Sequence, residues 1–283
     1  MTIPSLPTLM LEPVVRAALL EDLGRAGDIT TDAIVPATAQ AETVLAARQP
    51  GVVAGLDLAA LAFRLIDPAI RIEIERPDGT QLAKGDRIAT IAGPVRGMLT
   101  AERVALNFLG HLSGVATAAS TLVEAVKGHK ARICCTRKTM PGLRARQKYA
   151  VRVGGGSNPR FGLDDAVLIK DNHVAMAGGI SPAIRRARDG VGHLVKIEVE
   201  VDTLAQLDEA LAEGVDAVLL DNMTPEQLGQ AVRTIDGRAI AEASGRITPQ
   251  TAPAIAASGV DLISAGWLTH SATVLDIGLD WQH

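Results

Sequence analysis

The chain has 283 residues, a net charge of −4 and 47% hydrophobic residues, so it can bury a large core as one large domain or two moderate ones. With only three Phe, two Trp and one Tyr, that core must be built from Ala, Val, Leu and Ile, and the aromatic platforms that stack single-stranded nucleic acid are lacking. The two cysteines are adjacent, the six histidines show no paired-ligand spacing and no apolar run approaches ~20 residues, which argues against a disulfide scaffold, a zinc site and a membrane span.

The opening MTIPSLPTLMLEP has no basic n-region and no long apolar core, and a cytoplasmic protein is expected. From Pro13 to Leu23, apolar residues recur at helical spacing and Gly24 is placed to end the helix. GDITTDAIV reads as a loop rich in capping residues. ETVLAARQ and GVVAG follow, then a helical DLAALAFRLI, a strand-like RIEIER ended by PDGT, and the strand RIATIAG after KGD. Strands and helices mix here without a steady rhythm, as in an α+β domain. From Gly97 to Gly128 one or two helices bridge to the next region. RICCT, AVLIK, VKIEVEV, AVLLD, AIAEAS and LISAG are then short apolar runs, most of them separated by helical patterns such as TLAQLDEALAEG and TPEQLGQAVRTI. Repeated βα units imply parallel strands joined by right-handed crossovers. The expected architecture is α/β: an N-terminal α+β domain over 1–112, joined by the C-terminal segment 269–283, and an incomplete parallel α/β barrel of about six strands over 113–268.

A barrel is preferred to an open doubly wound sheet because of where the polar residues fall. At or just past the ends of the six strands stand Arg137 and Lys138, Lys170 and Asp171, Glu198 and Glu200, Asp221 and Asn222, Glu242 and Ser244, and Ser264. An open sheet binds its ligand at one switch point, whereas a barrel brings every strand end to one mouth. Cations lie on the first two strands and acids on the next three. The cations belong to a block, Lys130 to Arg160, that holds nine Lys/Arg and no Asp or Glu. Such a field in an acidic chain suits a small, highly anionic ligand.

Arg offers a planar fork to carboxylates and Lys a point charge to phosphates; Arg137, Lys138, Arg160 and Lys170 supply both. Glu200 and Asp221 would repel an anion unless a hard cation or sugar hydroxyls intervened. Magnesium, which takes one or two protein carboxylates plus substrate phosphates, matches that supply. SGRIT at Ser244 and SAG at Ser264 place backbone N–H groups where a phosphate can be cradled. No G-x-G-x-x-G, P-loop or G-x-S-x-G pattern occurs.

The stretches GDITT, TAERVALNFLGHLSG, CTRKTMPGLRARQKYAVRVGGGSN, LDDAVLIKDNH, EVEVDTLAQLDEAL, LLDNMTPE, EASGRIT and GVDLISAGWLTHSA resemble the quinolinate phosphoribosyltransferase family, the carboxylating nicotinate-nucleotide pyrophosphorylases, nearly end to end. The resemblance implies a homodimer with shared active sites, or a higher oligomer. It also implies magnesium-dependent joining of quinolinate to 5-phosphoribosyl 1-pyrophosphate, giving nicotinate mononucleotide, pyrophosphate and CO2. By motif, Arg137, Arg160 and Lys170 would hold the quinolinate carboxylates, with Arg103 supplied to the partner subunit's site. Lys138, Glu200 and Asp221 would face ribose, pyrophosphate and metal as the catalytic set. Ser244, Gly245, Arg246, Ser264, Gly266 and His270 would surround the 5-phosphate. Two positions depart from the family pattern: Pro159 replaces a histidine before Arg160, and Arg246 replaces the second glycine of SGGI. Other readings of the same residues are a barrel lyase using Lys170 as a Schiff-base nucleophile, and an anion-binding homologue with impaired turnover. No nucleic-acid or membrane partner is expected.

Overall fold

The computed structural model describes residues 3–281. In chain order, α1 (Thr8–Leu23) and α2 (Ile29–Ile34) precede β1 (Gln40–Ala47) and β2 (Gly51–Val52), and α3 (Leu56–Ile66) leads to β3 (Arg71–Ile74), β4 (Gln81–Leu82) and β5 (Arg87–Pro94). A 31-residue helix, α4 (Val95–Ala125), follows. Next come β6 (Arg132–Cys134), α5 (Arg144–Val153), β7 (Val167–Ile169), α6 (Asp171–Ala177), α7 (Ile180–Gly190), β8 (Ile197–Val201) and α8 (Leu204–Ala212). The chain ends with β9 (Ala217–Asp221), α9 (Pro225–Ile235), β10 (Ile240–Ser244), α10 (Ala252–Ala257), β11 (Leu262–Ser264), α11 (Trp267–His270) and β12 (Ile277–Trp281).

These elements form two compact units. The first takes the chain up to Ser120, Met140–Gly155 and the segment from Ser271 onward; the second takes Thr121–Thr139 and Gly156–His270. This division differs from the sequence boundaries of 112/113 and 268/269, above all in giving Met140–Gly155 to the first unit.

The first unit is built on an antiparallel sheet in the order β12-β1-β5-β3. Ile88, Ile91 and Leu45 from this sheet are fully buried, as are Leu58 and Phe63 on the inner face of α3. On α1, Leu11, Val15 and Leu19 recur at four-residue spacing and form its one buried face. Two expectations fail locally. The helix begins at Thr8, so Pro13 lies inside it, and GDITTDAIV is not a loop. Asp28 accepts the Thr31 N–H at 2.9 Å and caps α2, while the Thr100 hydroxyl of α4 donates to the same carboxylate at 3.1 Å. The capping residues thus start a helix.

Two features bind the later segments into this unit. A Cβ on Gly114 of α4 would lie 2.1 Å from the Thr273 carbonyl oxygen, so only glycine admits the returning chain there. On α5 the buried face carries Gln147, Lys148 and Tyr149, so this lysine of the basic block lies in the interior. Gln147 accepts the Met140 N–H at 2.9 Å and reaches His111 at 2.9 Å, and the Tyr149 hydroxyl donates to Asp78 at 2.8 Å. Burial raises the Tyr149 phenol, and the Asp78 charge adds to that shift.

The second unit is a six-stranded, wholly parallel sheet in the order β6-β11-β10-β9-β8-β7. Strands β7 to β11 follow one another without reversal, and the first strand joins beside the last, which is barrel winding and not doubly wound winding. With β6 and β7 at the ends, the barrel is incomplete. Thr203 with Gln206 and Thr224 with Gln227 form capping boxes that start α8 and α9 immediately after β8 and β9. Those early helix starts keep the rim loops short on the acidic side.

Candidate active site

Among the described residues, two cavities stand out by volume. One of about 750 Å³ in the first unit is lined by residues such as Asp57, Asp78 and Tyr149 and has no lysine or arginine in its wall. The other, about 440 Å³, opens at the carboxyl ends of the barrel strands, and its chemistry singles it out.

All six strands contribute to its wall. Cys135, Thr136, Arg137 and Lys138 follow β6; Leu168 and Lys170 come from β7; Glu198 and Glu200 from β8; Leu219 and Asp221 from β9; Glu242 and Ser244 from β10; Ser264 from β11. Residues two apart on a strand share a face, which is why four strands each deliver a pair. Parallel register sets Asp221, Ser244, Ser264 and Cys134 side by side across β9, β10, β11 and β6. Pro159 and Arg160 complete the cationic side.

The charges are arranged unevenly. Arg160 donates to the Ala166 carbonyl at 3.1 Å; burial and the neighbouring Arg137 both lower its pKa. The Nε of Arg137 is buried with no hydrogen-bond partner among the described residues. A buried, unpaired guanidinium N–H beside a second arginine is a place a carboxylate would satisfy. Opposite them the Lys170 ammonium contacts Glu200, and its backbone N–H donates to Nδ1 of His173 at 2.9 Å, which fixes the start of α6. Burial raises the Asp221 carboxyl, and repulsion from Glu200 and Asp202 raises it further. Asn222 donates to it at 2.6 Å.

At the cavity wall a second acid pair forms, between Glu198 and Glu242. Burial and the facing Glu242 push Glu198 up to about 8; burial also raises Glu242, which the Ser264 hydroxyl partly offsets. Near neutral pH, Glu198 therefore keeps a proton and donates it to Glu242. Its folded pKa lies above the unfolded value of roughly 4.3, so between those two the unfolded state binds fewer protons and stability falls as pH rises. Glu198→Gln is expected to flatten urea-unfolding stability between pH 5 and 8, a slope of up to about 1.4 kcal/mol per pH unit in the parent. Parallel curves for parent and variant would remove the shared proton.

Eight of the thirteen residues expected at the site line this cavity: Arg137, Lys138, Arg160, Lys170, Glu200, Asp221, Ser244 and Ser264. Gly245 and Arg246 directly follow Ser244, both at positive φ (101° and 51°), and Arg246 is exposed. Gly266 sits against the Lys138 side chain: a Cβ there would lie 3.0 Å from Cδ of Lys138 and 3.5 Å from Nε2 of His270. Arg103 is not in this wall. It is exposed on α4, beside a cavity of about 230 Å³ in the first unit that also meets Glu21, Asp22 and His111. Sequence reasoning gave no role to Glu198, Glu242, Thr136 or Cys135.

Comparison with known proteins decides the family. The quinolinate phosphoribosyl transferase N-terminal domain matches residues 28–113, and the C-terminal domain of the same family matches residues 115–280. The chain belongs to the quinolinate phosphoribosyl transferase family. Within it, the nicotinate-nucleotide pyrophosphorylase [carboxylating] of Mycobacterium leprae is 47% identical over 271 residues, covering 94% of this chain and 95% of that protein. A chloroplastic relative of the same name from Arabidopsis thaliana is 40% identical, covering 98% and 84%. The crystal structure of NadC from Streptococcus pyogenes superposes with a TM-score of 0.94 at 42% identity, covering 99% of this chain and 100% of that one. Membership in the quinolinate phosphoribosyl transferase family accounts for cations and acids sharing one mouth, since its substrates are a dicarboxylate and a phosphorylated sugar. Among the described residues no helix is long and apolar enough to cross a membrane.

Proposed function

We propose that this chain transfers the phosphoribosyl group of 5-phosphoribosyl 1-pyrophosphate to quinolinate with loss of CO2, giving nicotinate mononucleotide and pyrophosphate, in de novo NAD biosynthesis. The observation that carries this reading is the cavity wall itself: Arg137, Arg160 and Lys170 share one barrel mouth with Glu200 and Asp221, in a chain of this family.

In this reading Arg137, Arg160 and Lys170 hold the two quinolinate carboxylates, and Arg103 of the partner subunit completes the grip in a homodimer. The pyridine nitrogen, aligned by those contacts, attacks the anomeric carbon as the bond to pyrophosphate breaks and takes its electron pair with the leaving group. Lys138 at the mouth stabilises the charge gathering there. The ring nitrogen is then cationic, so the adjacent C–CO2 bond can break and leave its electron pair beside that charge; a proton replaces the carboxyl group. Ser244, Gly245, Arg246, Ser264, Gly266 and His270 surround the 5-phosphate.

Glu200 and Asp221 stand on neighbouring strands and repel each other. No third His, Cys, Asp or Glu joins them in a cluster among the described residues. Two carboxylates and no more fit magnesium, which completes its shell with water and substrate phosphates. When bound it supplies positive charge to the pyrophosphate. Removing divalent ions with EDTA is expected to abolish turnover, and added magnesium to restore it; full activity in EDTA would rule the metal out.

The lyase reading needs Nζ of Lys170 free to attack a carbonyl, whereas here it is bonded to the Glu200 carboxylate. An impaired homologue and an active enzyme are separated by one assay: nicotinate mononucleotide formed from quinolinate and 5-phosphoribosyl 1-pyrophosphate. Its absence under saturating substrates would overturn the proposal. Sedimentation equilibrium showing only monomer would remove the shared site, and fractionation placing the protein outside the cytoplasm would remove the proposed location.

A further inference from the structure

We propose that Thr269 is a positioning residue for Lys138, an inference that rests on the catalytic role just given to that lysine. Both main-chain polar groups of Lys138 are bonded. Its N–H donates to Oγ1 of Thr136 at 3.0 Å, and the preceding carbonyl, of Arg137, accepts the Thr139 N–H at 2.9 Å. Its own carbonyl accepts from Oγ1 of Thr269 at 2.8 Å, across 131 residues of sequence.

Thr269 has a single hydroxyl hydrogen and two carbonyls within reach, those of Lys138 and Gly266 at 3.1 Å. The Gly266 carbonyl already receives the Thr269 backbone N–H at 3.2 Å, and the Lys138 bond is the shorter, so the hydroxyl hydrogen goes to Lys138. Thr269 is fully buried, where a hydroxyl is kept only if its bond is made. The same turn also controls the side chain, because Gly266 leaves 3.0 Å to Cδ of Lys138 and 3.3 Å to Oγ1 of Thr136 for any added Cβ. Two threonines therefore clamp the peptide, and a glycine frames the stem of the lysine that rises into the mouth. Thr269 carries no charge and is not in the cavity wall, so its bond acts through the geometry of Lys138.

The test is Thr269→Val, which keeps the volume and removes the hydroxyl, beside Thr269→Ser, which restores it. The valine variant is expected to lose roughly tenfold in kcat, the scale of a small misplacement of a catalytic group. Quinolinate affinity, measured by calorimetry without the sugar substrate, should change less than twofold, and thermal unfolding should stay cooperative. Serine should recover most of the kcat. Gly266→Ala, at a φ outside the left-handed range, should also lower kcat by crowding the stem. Unchanged kcat in Thr269→Val, or a fall that serine does not rescue and that follows Tm, would overturn the clamp. Failure of the parent protein to make nicotinate mononucleotide would instead overturn the reading on which it rests.

Discussion

Replacing Arg137 by alanine is expected to lower kcat/KM by about 2–5 kcal/mol, roughly 30-fold to several thousand-fold, while leaving Tm unchanged or slightly higher. The two effects part because of what surrounds the side chain. Arg137 lines the cavity beside Arg160, and its Nε is buried without a partner, so in the free protein it is a source of repulsion. In the proposed reading, a substrate carboxylate would turn that repulsion into two charge-assisted forks. Truncation removes the fork and leaves the carboxylate buried against one arginine where it had two. Arg137→Lys should fall between parent and alanine, since it returns the charge without the planar geometry. Steady-state kinetics with quinolinate varied, set beside a thermal melt, separates the cases. Wild-type kinetics in Arg137→Ala would take this residue out of substrate binding, and a collapsed melt would give it a structural role.

Most of the second unit was legible in the sequence because barrel strands and their helices are locally encoded. T-x-x-Q after VKIEVEV and after AVLLD names the first residue of each following helix, and period-two placement puts Glu198 with Glu200, and Glu242 with Ser244, on the inner face. The meeting of Glu198 with Glu242 was not legible. They stand on β8 and β10 with β9 between them, so the contact crosses the barrel interior, and no local pattern encodes it. Local competition misled at Asp28, where capping residues that also favour turns start a helix supported by Thr100, 72 residues away. Met140–Gly155 falls in the first unit for a similar reason: Gln147 and Tyr149 tie it to His111 and Asp78 there, and burial of Lys148 goes with that packing, which no local charge pattern encodes. The charges named the rim; the long-range partners had to be seen.

Lys138→Met should separate chemistry from binding. A loss of roughly 10²–10³ in kcat is expected, the usual cost of removing one group aimed at developing negative charge. Quinolinate affinity without the sugar substrate should stay within about threefold, because the proposed reading assigns the carboxylate fork to Arg137 and Arg160. Lys138 is placed for this division of labour. It lines the cavity next to Arg137 but is exposed at the mouth, and its stem lies in the gap left by Gly266 near His270. Lys138→Arg should recover little, since a planar guanidinium spreads its charge where the ammonium is a compact point charge. Adding more pyrophosphorylated sugar should not restore the rate, because a group that acts on the leaving charge contributes chiefly when the bond is breaking. If saturating sugar restores kcat, Lys138 serves ground-state binding of the phosphates. If quinolinate affinity falls as far as the rate, it belongs with Arg137 in the carboxylate grip, and the clamp formed by Thr136 and Thr269 would then set substrate specificity and not transition-state charge.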